Sequence, residues 1–355
     1  MPSERWVDVR NVMETVMRSR GVPGLVLAVA RGEEPPDYVC MGTDSDGVPL
    51  GEDTVFNVAS ITKLATALSV LRLVDDARFG LDDPLSHFLP TSAAAQPGVT
   101  IRRLLAHTSG LPLDRPSGGA LYDSRLDWPT LARACLNRGL ETAPGQRVQY
   151  SNSGYGLLAL VVERETGSPF PEALERLVLR PLGIQAWLGV EPPVPPARLA
   201  GVRGEHAGTE IEPFNSRFWR SLALPWGGIA TTAGGALGLV RAFLNPSSGF
   251  LLAETRREAT SNQSGDLSGG QYPPLVWSRA TWGLGPELRD HKAPHWAPQE
   301  ASPTSFGHAG ASGCVAWADP VANVSWTIVG TAVADSGWLI RGAPPIGAAI
   351  LRAEA

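Results

Sequence analysis

The stretch of residues 56–74 constrains the fold most, because it is apolar on nearly every side of the helix that it predicts. Its leucines, alanines and valines leave no wide polar face, so we expect this helix, at about residues 60–76, to be buried. Ser60 stands at its start and Lys63 lies three residues later. That spacing places the two side chains on one face of the helix, one turn apart.

Lys63 is unusual because lysine is almost absent from the chain. The sequence has two lysines, Lys63 and Lys292, so 28 of its 30 basic residues are arginines. Arginine keeps its proton in proteins, whereas burial disfavours the charged form of lysine and lowers its pKa. We therefore expect Lys63 to be the one interior ammonium group, and one that can lose its proton beside the Ser60 hydroxyl.

Strand patterns lie towards both ends of the sequence. Residues 22–30 and 38–41 predict a β-hairpin that precedes the apolar helix. Four more strands are predicted near the C-terminal end, at residues 281–288, 305–310, 313–318 and 324–329.

Helical patterns dominate the middle of the chain. We therefore predict an α/β (α+β) fold, in which helices flank an antiparallel β-sheet and a mainly helical domain is inserted. The α/β domain is expected to be discontinuous, comprising residues 1–80 and 221–355. Residues 81–220 would form the inserted domain.

Two more short motifs could meet Ser60 in the fold. Tyr150-Ser-Asn152 precedes a predicted helix, and His308-Ala-Gly310 lies in a predicted strand. Each motif is weak alone, because a serine and a lysine at this spacing often arise by chance and a single tyrosine is more often a core residue. Their weight comes from occurring together and in this order.

These motifs resemble those of the serine hydrolases that include class C β-lactamases, D-Ala-D-Ala peptidases and related family VIII carboxylesterases. The S-x-x-K motif stands at 60–63, the Y-x-N motif at 150–152 and a strand motif ending in glycine at 308–310. Leu-Leu-Ala-His-Thr-Ser-Gly-Leu-Pro at 104–112 is a further similar stretch. The resemblance spans nearly the whole chain and implies a β-lactamase/transpeptidase-like fold.

The resemblance implies that Ser60 is a nucleophile that forms an acyl-enzyme, and that Lys63 and Tyr150 exchange its proton. Which of the two is the base stays open, because strongly coupled groups titrate as a pair. We expect the adjacent cation to favour the phenolate and so to lower the pKa of Tyr150.

The resemblance also implies roles in substrate binding. Asn152 would orient Lys63 or a substrate amide, although it could simply cap the helix that follows. The oxyanion would lie between the backbone N–H groups of Ser60 and Ala311, and Gly310 would let the strand approach the substrate closely.

The third motif departs from the Lys-Thr-Gly that β-lactamases usually carry there. His308 has a charge only when its imidazole is protonated, mostly below about pH 6.5. Losing one charge-assisted hydrogen bond costs about 1.5–3 kcal/mol, so substrates that bear a carboxylate should bind less well. The alternative is that His308 is a structural strand histidine.

We therefore predict a serine hydrolase that cleaves small carboxylic esters, with amides as a second substrate class. A β-lactamase or D-Ala-D-Ala carboxypeptidase or aminopeptidase on the same fold is the alternative function. A third hypothesis is a catalytically idle binding protein. A Ser-His-Asp hydrolase is disfavoured, because the chain contains no G-x-S-x-G motif.

Other classes of function are disfavoured by composition. The net charge is −5 and no basic block occurs, which argues against nucleic-acid binding. No apolar run approaches the roughly 18 residues of a membrane helix. Residues 22–30 resemble the apolar part of a signal peptide, but the long, acidic, helical segment before them favours a cytoplasmic protein.

Metal and cofactor sites are not predicted. Asp290, His291 and His295 lie together, but prolines and Lys292 accompany them, so we interpret the segment as a solvated loop. His107, in His-Thr-Ser-Gly, is expected to brace a turn. The remaining aromatic residues are assigned to packing, some to an acyl pocket: Phe214, Phe218, Trp219, Trp226, Trp277, Trp282 and Trp296.

Overall fold

The computed structural model describes residues 4–113, 126–202, 204, 207–244 and 249–354. Its helices are α1 Val7–Arg20, α2 Thr62–Asp75, α3 Leu85–Phe88, α4 Ile101–Leu105, α5 Trp128–Leu136, α6 Asn152–Thr166, α7 Phe170–Leu174, α8 Arg217–Ser221, α9 Ala233–Arg241, α10 Ala253–Ala259 and α11 Trp338–Glu354. Its strands are β1 Gly24–Arg31, β2 Asp37–Gly42, β3 Val55–Asn57, β4 Val148–Gln149, β5 Ala186–Trp187, β6 Ala230–Thr232, β7 Gly269–Gly270, β8 Val276–Trp277, β9 Glu287–Leu288, β10 Phe306–Gly310, β11 Cys314–Asp319 and β12 Val324–Gly330.

The main sheet joins the two ends of the chain. It has six strands in the order β2-β1-β12-β11-β10-β9, and every neighbouring pair is antiparallel. β1 lies inside the sheet, between β2 and β12. The predicted antiparallel sheet is confirmed, including the hairpin of β1 and β2.

Both faces of this sheet are buried, which explains why β1 is apolar up to its exposed last residue, Arg31. Leu25, Leu27 and Val29 pack in a cluster with residues of α1 and α11. Val26 and Ala28, which alternate with them, pack in the other large cluster with residues of α2 and α9. Successive side chains of a strand point to opposite faces, so a strand covered on both sides favours apolar residues at successive positions.

Helix α2 occupies the centre of the second cluster, as its apolar sequence predicts. Eleven of its 14 residues are buried, and Lys63 is among them. The predicted central helix is therefore confirmed, although its α-helical part begins at Thr62.

The middle of the chain carries α3 to α8 and two short strands. One of them, β4, pairs in parallel with β7 and so joins the middle of the chain to its C-terminal part just before Tyr150. The division into domains at residues 80 and 220 stays a prediction.

The strand predicted at 281–288 is wrong over most of its length, since only Glu287 and Leu288 form β9. Gly285 has a φ of +110°, a conformation that favours glycine, and Pro286 follows it. A regular strand cannot continue through that pair. Within the described ranges, none of the helices has the length and apolar character needed to cross a bilayer.

Candidate active site

The residue before Ser60 has an unusual backbone conformation. Ala59 has a φ of +43°, which is strained for a residue with a Cβ, and its N–H donates to Asn57 Oδ1 at 2.9 Å. A 3-10 turn over Ala59–Ile61 then leads into α2. Ser60 lies in the middle of this turn, two residues before the first residue of α2, and is half-buried.

Lys63 lies beside the Ser60 hydroxyl. Its Nζ is 3.2 Å from Ser60 Oγ and donates a hydrogen bond to the Trp226 carbonyl at 2.9 Å. The side chain is 0% exposed, as the apolar helix predicts. Its Nζ also lies 4.6 Å from the centroid of the Tyr150 ring and 5.7 Å from that of Tyr155. The lysine is therefore shielded from water and in hydrogen-bond contact with a serine that is half-buried.

Tyr150 reaches the same serine from the opposite direction. It follows β4, is 7% exposed, and its hydroxyl is hydrogen-bonded to Ser60. Burial raises the pKa of Tyr150 well above its usual value, although the bond to Ser60 acts in the opposite direction. The expected lowering of this pKa is therefore wrong: burial outweighs the hydrogen bond to Ser60, and the phenol keeps its proton.

His308 is also buried beside Tyr150, with the two ring centroids 5.9 Å apart. Burial, together with the nearby charge of Lys63, lowers the pKa of His308 to about 4. Its Nδ1 lies 2.7 Å from the Ala309 carbonyl, and its Nε2 is buried without a hydrogen-bond partner among the described residues. The imidazole is therefore uncharged until well below the pH 6.5 expected from the sequence.

The strand motif that ends in Gly310 lies directly against the turn that carries Ser60. A Cβ on Gly310 would be 2.5 Å from the Val58 carbonyl oxygen and 3.3 Å from Ala59 Cβ, so only glycine allows this approach. Ala311 follows in an exposed turn at the end of β10. Ala311 therefore directly follows the glycine that packs against the two residues preceding Ser60.

Asn152 is the first residue of α6, but it does not cap the helix. The cap is Ser151, whose side chain accepts a hydrogen bond from the Gly154 N–H at 3.3 Å. The Oδ1 atom of Asn152 is buried and has no hydrogen-bond partner in the described part of the chain. The capping alternative is therefore wrong, and a buried acceptor stays available.

His107 is a residue whose part in this site the sequence reasoning missed. Its ring lies 4.6 Å from the Tyr150 ring and 4.8 Å from the Trp282 ring, measured between centroids. Its backbone carbonyl accepts a hydrogen bond from the N–H of Gln149, the last residue of β4. The only signal in the sequence was a histidine that lies two residues after the short helix α4 and directly precedes Thr-Ser-Gly.

The segment around Lys292 is not the solvated loop that we predicted. Lys292 is buried, and its Nζ lies 2.9 Å from Glu287 Oε1 and donates to the Thr281 carbonyl at 2.8 Å. His295 is buried against the same carboxylate, at 3.4 Å. Lys63 is therefore not the one interior ammonium group; both lysines of the chain are interior. The described residues contain no group of three or more histidine, cysteine or acidic side chains arranged to hold a metal ion.

Apolar side chains lie near Lys63. Trp226, whose carbonyl receives the Lys63 hydrogen bond, has its ring 6.1 Å from that of Trp128, and both side chains are partly exposed. They border a small apolar cluster of Leu126, Leu131, Ile211, Phe214, Phe218, Trp219, Leu222 and Leu224. By contrast, Trp277, Trp282 and Trp296 belong to the cluster on the main sheet.

Comparison with known proteins agrees with this geometry. Residues 9–337 match the family model described as Beta-lactamase. Esterase EstB from Burkholderia gladioli is 32% identical over 336 residues, which cover 83% of this chain and 83% of that protein. Penicillin-binding protein 4 from Amycolatopsis lactamdurans is 31% identical, covering 75% of this chain and 68% of that protein.

A solved structure gives the same result. The β-lactamase Mb2281c from Mycobacterium bovis superposes with a TM-score of 0.68 at 27% identity, over 96% of this chain and 99% of that one. The chain belongs to the β-lactamase family and is a serine hydrolase of that family.

Proposed function

We propose that this enzyme hydrolyses small carboxylic esters through an acyl-enzyme on Ser60, with Lys63 as the base and Tyr150 as the acid. The observation that carries the proposal is that Lys63 Nζ lies 3.2 Å from Ser60 Oγ in a fully buried position. The Tyr150 hydroxyl bonds to the same serine. A nucleophile held between a buried amine and a phenol can lose its proton and receive one back.

Acylation uses the three side chains in sequence. Lys63, acting in its deprotonated form, takes the Ser60 proton as Oγ forms a bond to the ester carbonyl carbon. The bond from that carbon to the alcohol oxygen then breaks, and the Tyr150 hydroxyl gives its proton to the departing alkoxide. Lys63 returns a proton to the phenolate, which restores both groups. In deacylation, water attacks the acyl carbon and its proton passes back through the same groups as Ser60 leaves.

Tyr150 is assigned as the acid because of its surroundings. A phenol whose pKa is raised by burial keeps its proton at neutral pH and cannot act as the resting base. It can still donate that proton to an alkoxide, which is far more basic than a phenolate. The backbone N–H groups of Ser60 and Ala311 would bind the oxyanion, and the buried, unpaired Oδ1 of Asn152 would accept from Lys63 or from the substrate.

Esters are favoured over substrates that carry a carboxylate because of His308. In the β-lactamase motif a lysine presents a charge at this position, whereas a buried imidazole with a pKa of about 4 is neutral. The name of Esterase EstB is consistent with this substrate class. The partly exposed Trp128 and Trp226 rings offer an apolar surface for an acyl or alcohol group.

The carboxylate discrimination can be measured with a matched pair of substrates. We expect p-nitrophenyl valerate to be hydrolysed with a kcat/KM about 10- to 100-fold above that of mono-p-nitrophenyl glutarate, which has a carboxylate on a chain of similar length. The ratio should stay level between pH 5.5 and 8, because His308 does not gain a charge in that range. Faster turnover of the glutarate, or nitrocefin turnover equal to that of the valerate, would favour the β-lactamase or peptidase alternative.

The acyl-enzyme itself can be detected by mass spectrometry. Rapid quenching during turnover of a p-nitrophenyl ester should give protein heavier by one acyl group, and peptide mapping should place that group on Ser60. A fluorophosphonate should label the same residue. Acylation of a different residue, or no labelling at all, would contradict the proposal; the second result would favour an idle binding protein.

We also infer a cytoplasmic location. The apolar residues 22–30, which resemble a leader segment, supply the interior strand β1 of the main sheet, so removing them would take apart the sheet. Recovery of the protein outside the cytoplasm in fractionated cells would contradict this inference.

A further inference from the structure

His107 forms hydrogen bonds on both sides of Tyr150. Its backbone carbonyl accepts from the Gln149 N–H at 2.8 Å, and its ring Nδ1 accepts from the Ser151 N–H at 3.1 Å. Gln149 and Ser151 are the two chain neighbours of Tyr150. One residue therefore fixes the backbone immediately before and immediately after the phenol.

The ring of His107 also fills the space beside the phenol. Its centroid lies 4.6 Å from that of Tyr150 and 5.1 Å from that of Tyr155, with the planes tilted by 36° and 33°. The Trp282 ring meets it edge-on at 4.8 Å. His107 is buried, so these rings pack around it on several sides and leave it little room to turn.

The hydrogen bond to Ser151 determines where the imidazole carries its proton. An Nδ1 that accepts from an N–H has no proton of its own, so the neutral ring is protonated at Nε2. That nitrogen is buried without a partner among the described residues. Burial holds the pKa of His107 well below its usual range, and positive charge on the neighbouring Lys63 or His308 acts in the same direction, against the effect of Glu287. A doubly protonated ring would lose the Ser151 bond, and the surroundings prevent that state.

We propose that His107 is a positioning residue, which holds the Tyr150 hydroxyl against Ser60 by fixing the backbone and the ring of that tyrosine. This inference rests on the proposed role of Tyr150 in ester hydrolysis. His107 touches neither Ser60 nor the reacting atoms; it acts through the residue that does. The same Ser151 hydrogen bond also fixes the residue that caps α6.

The backbone at His107 selects the variants for the test. Its φ is +56°, a left-handed conformation that glycine and asparagine adopt most readily. His107→Asn keeps an acceptor near the position of Nδ1, whereas His107→Gly removes both the acceptor and the ring. Glycine and asparagine can both adopt this backbone conformation, so a difference in rate between the two variants reports the effect of the side chain.

We expect His107→Gly to lower kcat by about 10²- to 10³-fold with little change in KM, because a displacement of about 1 Å at a catalytic group has an effect of that size. His107→Asn should recover at least about tenfold of the loss. Rates are compared per folded molecule, from circular dichroism and thermal melting of each preparation. Should the glycine variant not fold, His107→Gln replaces it, because its amide lies one atom beyond the Nδ1 position.

A second background separates positioning from general damage to the fold. In Tyr150→Phe enzyme, removing His107 should lower the residual rate by no more than about threefold, because the hydroxyl that it positions is already gone. An equal loss in both backgrounds, or a full kcat in His107→Gly alongside an inactive Tyr150→Phe, would overturn the role of His107 alone. Full activity of Tyr150→Phe by itself would instead overturn the proposed role of Tyr150, and that of His107 with it.

Discussion

Replacing Lys63 by methionine is expected to lower kcat/KM for ester hydrolysis by about 10⁴-fold or more while the protein stays folded. Methionine matches the length of the lysine stem but cannot accept the proton of a hydroxyl that lies 3.2 Å from Nζ. Ser60→Ala should cost about as much. The Ser60→Ala, Lys63→Met double variant should cost little more than either, because groups that act as a unit are not additive. Steady-state kinetics on a p-nitrophenyl ester measure all three.

The second lysine supplies a matched control, since Lys292 is equally buried but belongs to an ion pair with Glu287. Lys292→Met leaves that carboxylate buried and unpaired, which should lower the free energy of unfolding by about 3–5 kcal/mol. The folded fraction should keep its activity. If both variants lost activity only because they unfold, the assignment of Lys63 as base would be contradicted. A folded Lys63→Met enzyme with more than about a tenth of the normal rate would contradict it as well.

The free energy of unfolding is expected to fall steeply as the pH is lowered from about 6.5 to about 4. Burial lowers the pKa of His295 and that of His308 to about 4, and it lowers that of His107 as well. Across this range the unfolded chain binds protons that the folded chain excludes, so stability decreases as pH decreases. Each shift from 6.5 to about 4 corresponds to roughly 3 kcal/mol. Urea unfolding at several pH values measures the slope.

Glu287 accounts for little of this window. Its pKa is lowered, because the neighbouring Lys292 and His295 outweigh the effect of burial, so its contribution to stability is lost as the pH falls below about 4.5, where the unfolded chain binds that proton. His295→Asn should flatten the slope between pH 6.5 and 4. His291→Asn, at a side chain that is 83% exposed, should leave it unchanged. A free energy that stays level down to pH 4.5 would show that these imidazoles are not buried in their neutral form.

The sequence was most informative where local pattern and chemistry agree. The apolar helix could be recognised from its composition, and the Ser60–Lys63 pair from helical spacing that survives the change to a 3-10 turn at its start. The interior strand β1 could be recognised because its residues before Arg31 are all apolar. These features depend on neighbours in sequence, so the residues themselves encode them.

Features that depend on tertiary contacts could not be predicted in this way. Lys292 lies in a polar segment with prolines, and only its pairing with Glu287 and the Thr281 carbonyl explains its burial. The pKa of Tyr150 moved in the opposite direction to the prediction, because the degree of burial is set by the fold as a whole. The hydrogen bonds that His107 forms with the two chain neighbours of Tyr150 join residues more than 40 positions apart. None of these pairings leaves a periodic trace in the sequence.

Because both lysine side chains lie inside the packed molecule, an endoprotease that cleaves only after lysine has two possible cut sites and can reach neither in the native state. The intact chain should persist in such a digest. Fragments ending at residues 63 and 292 would appear only from molecules that have opened, so their rate of release reports how often the interior of this protein is exposed.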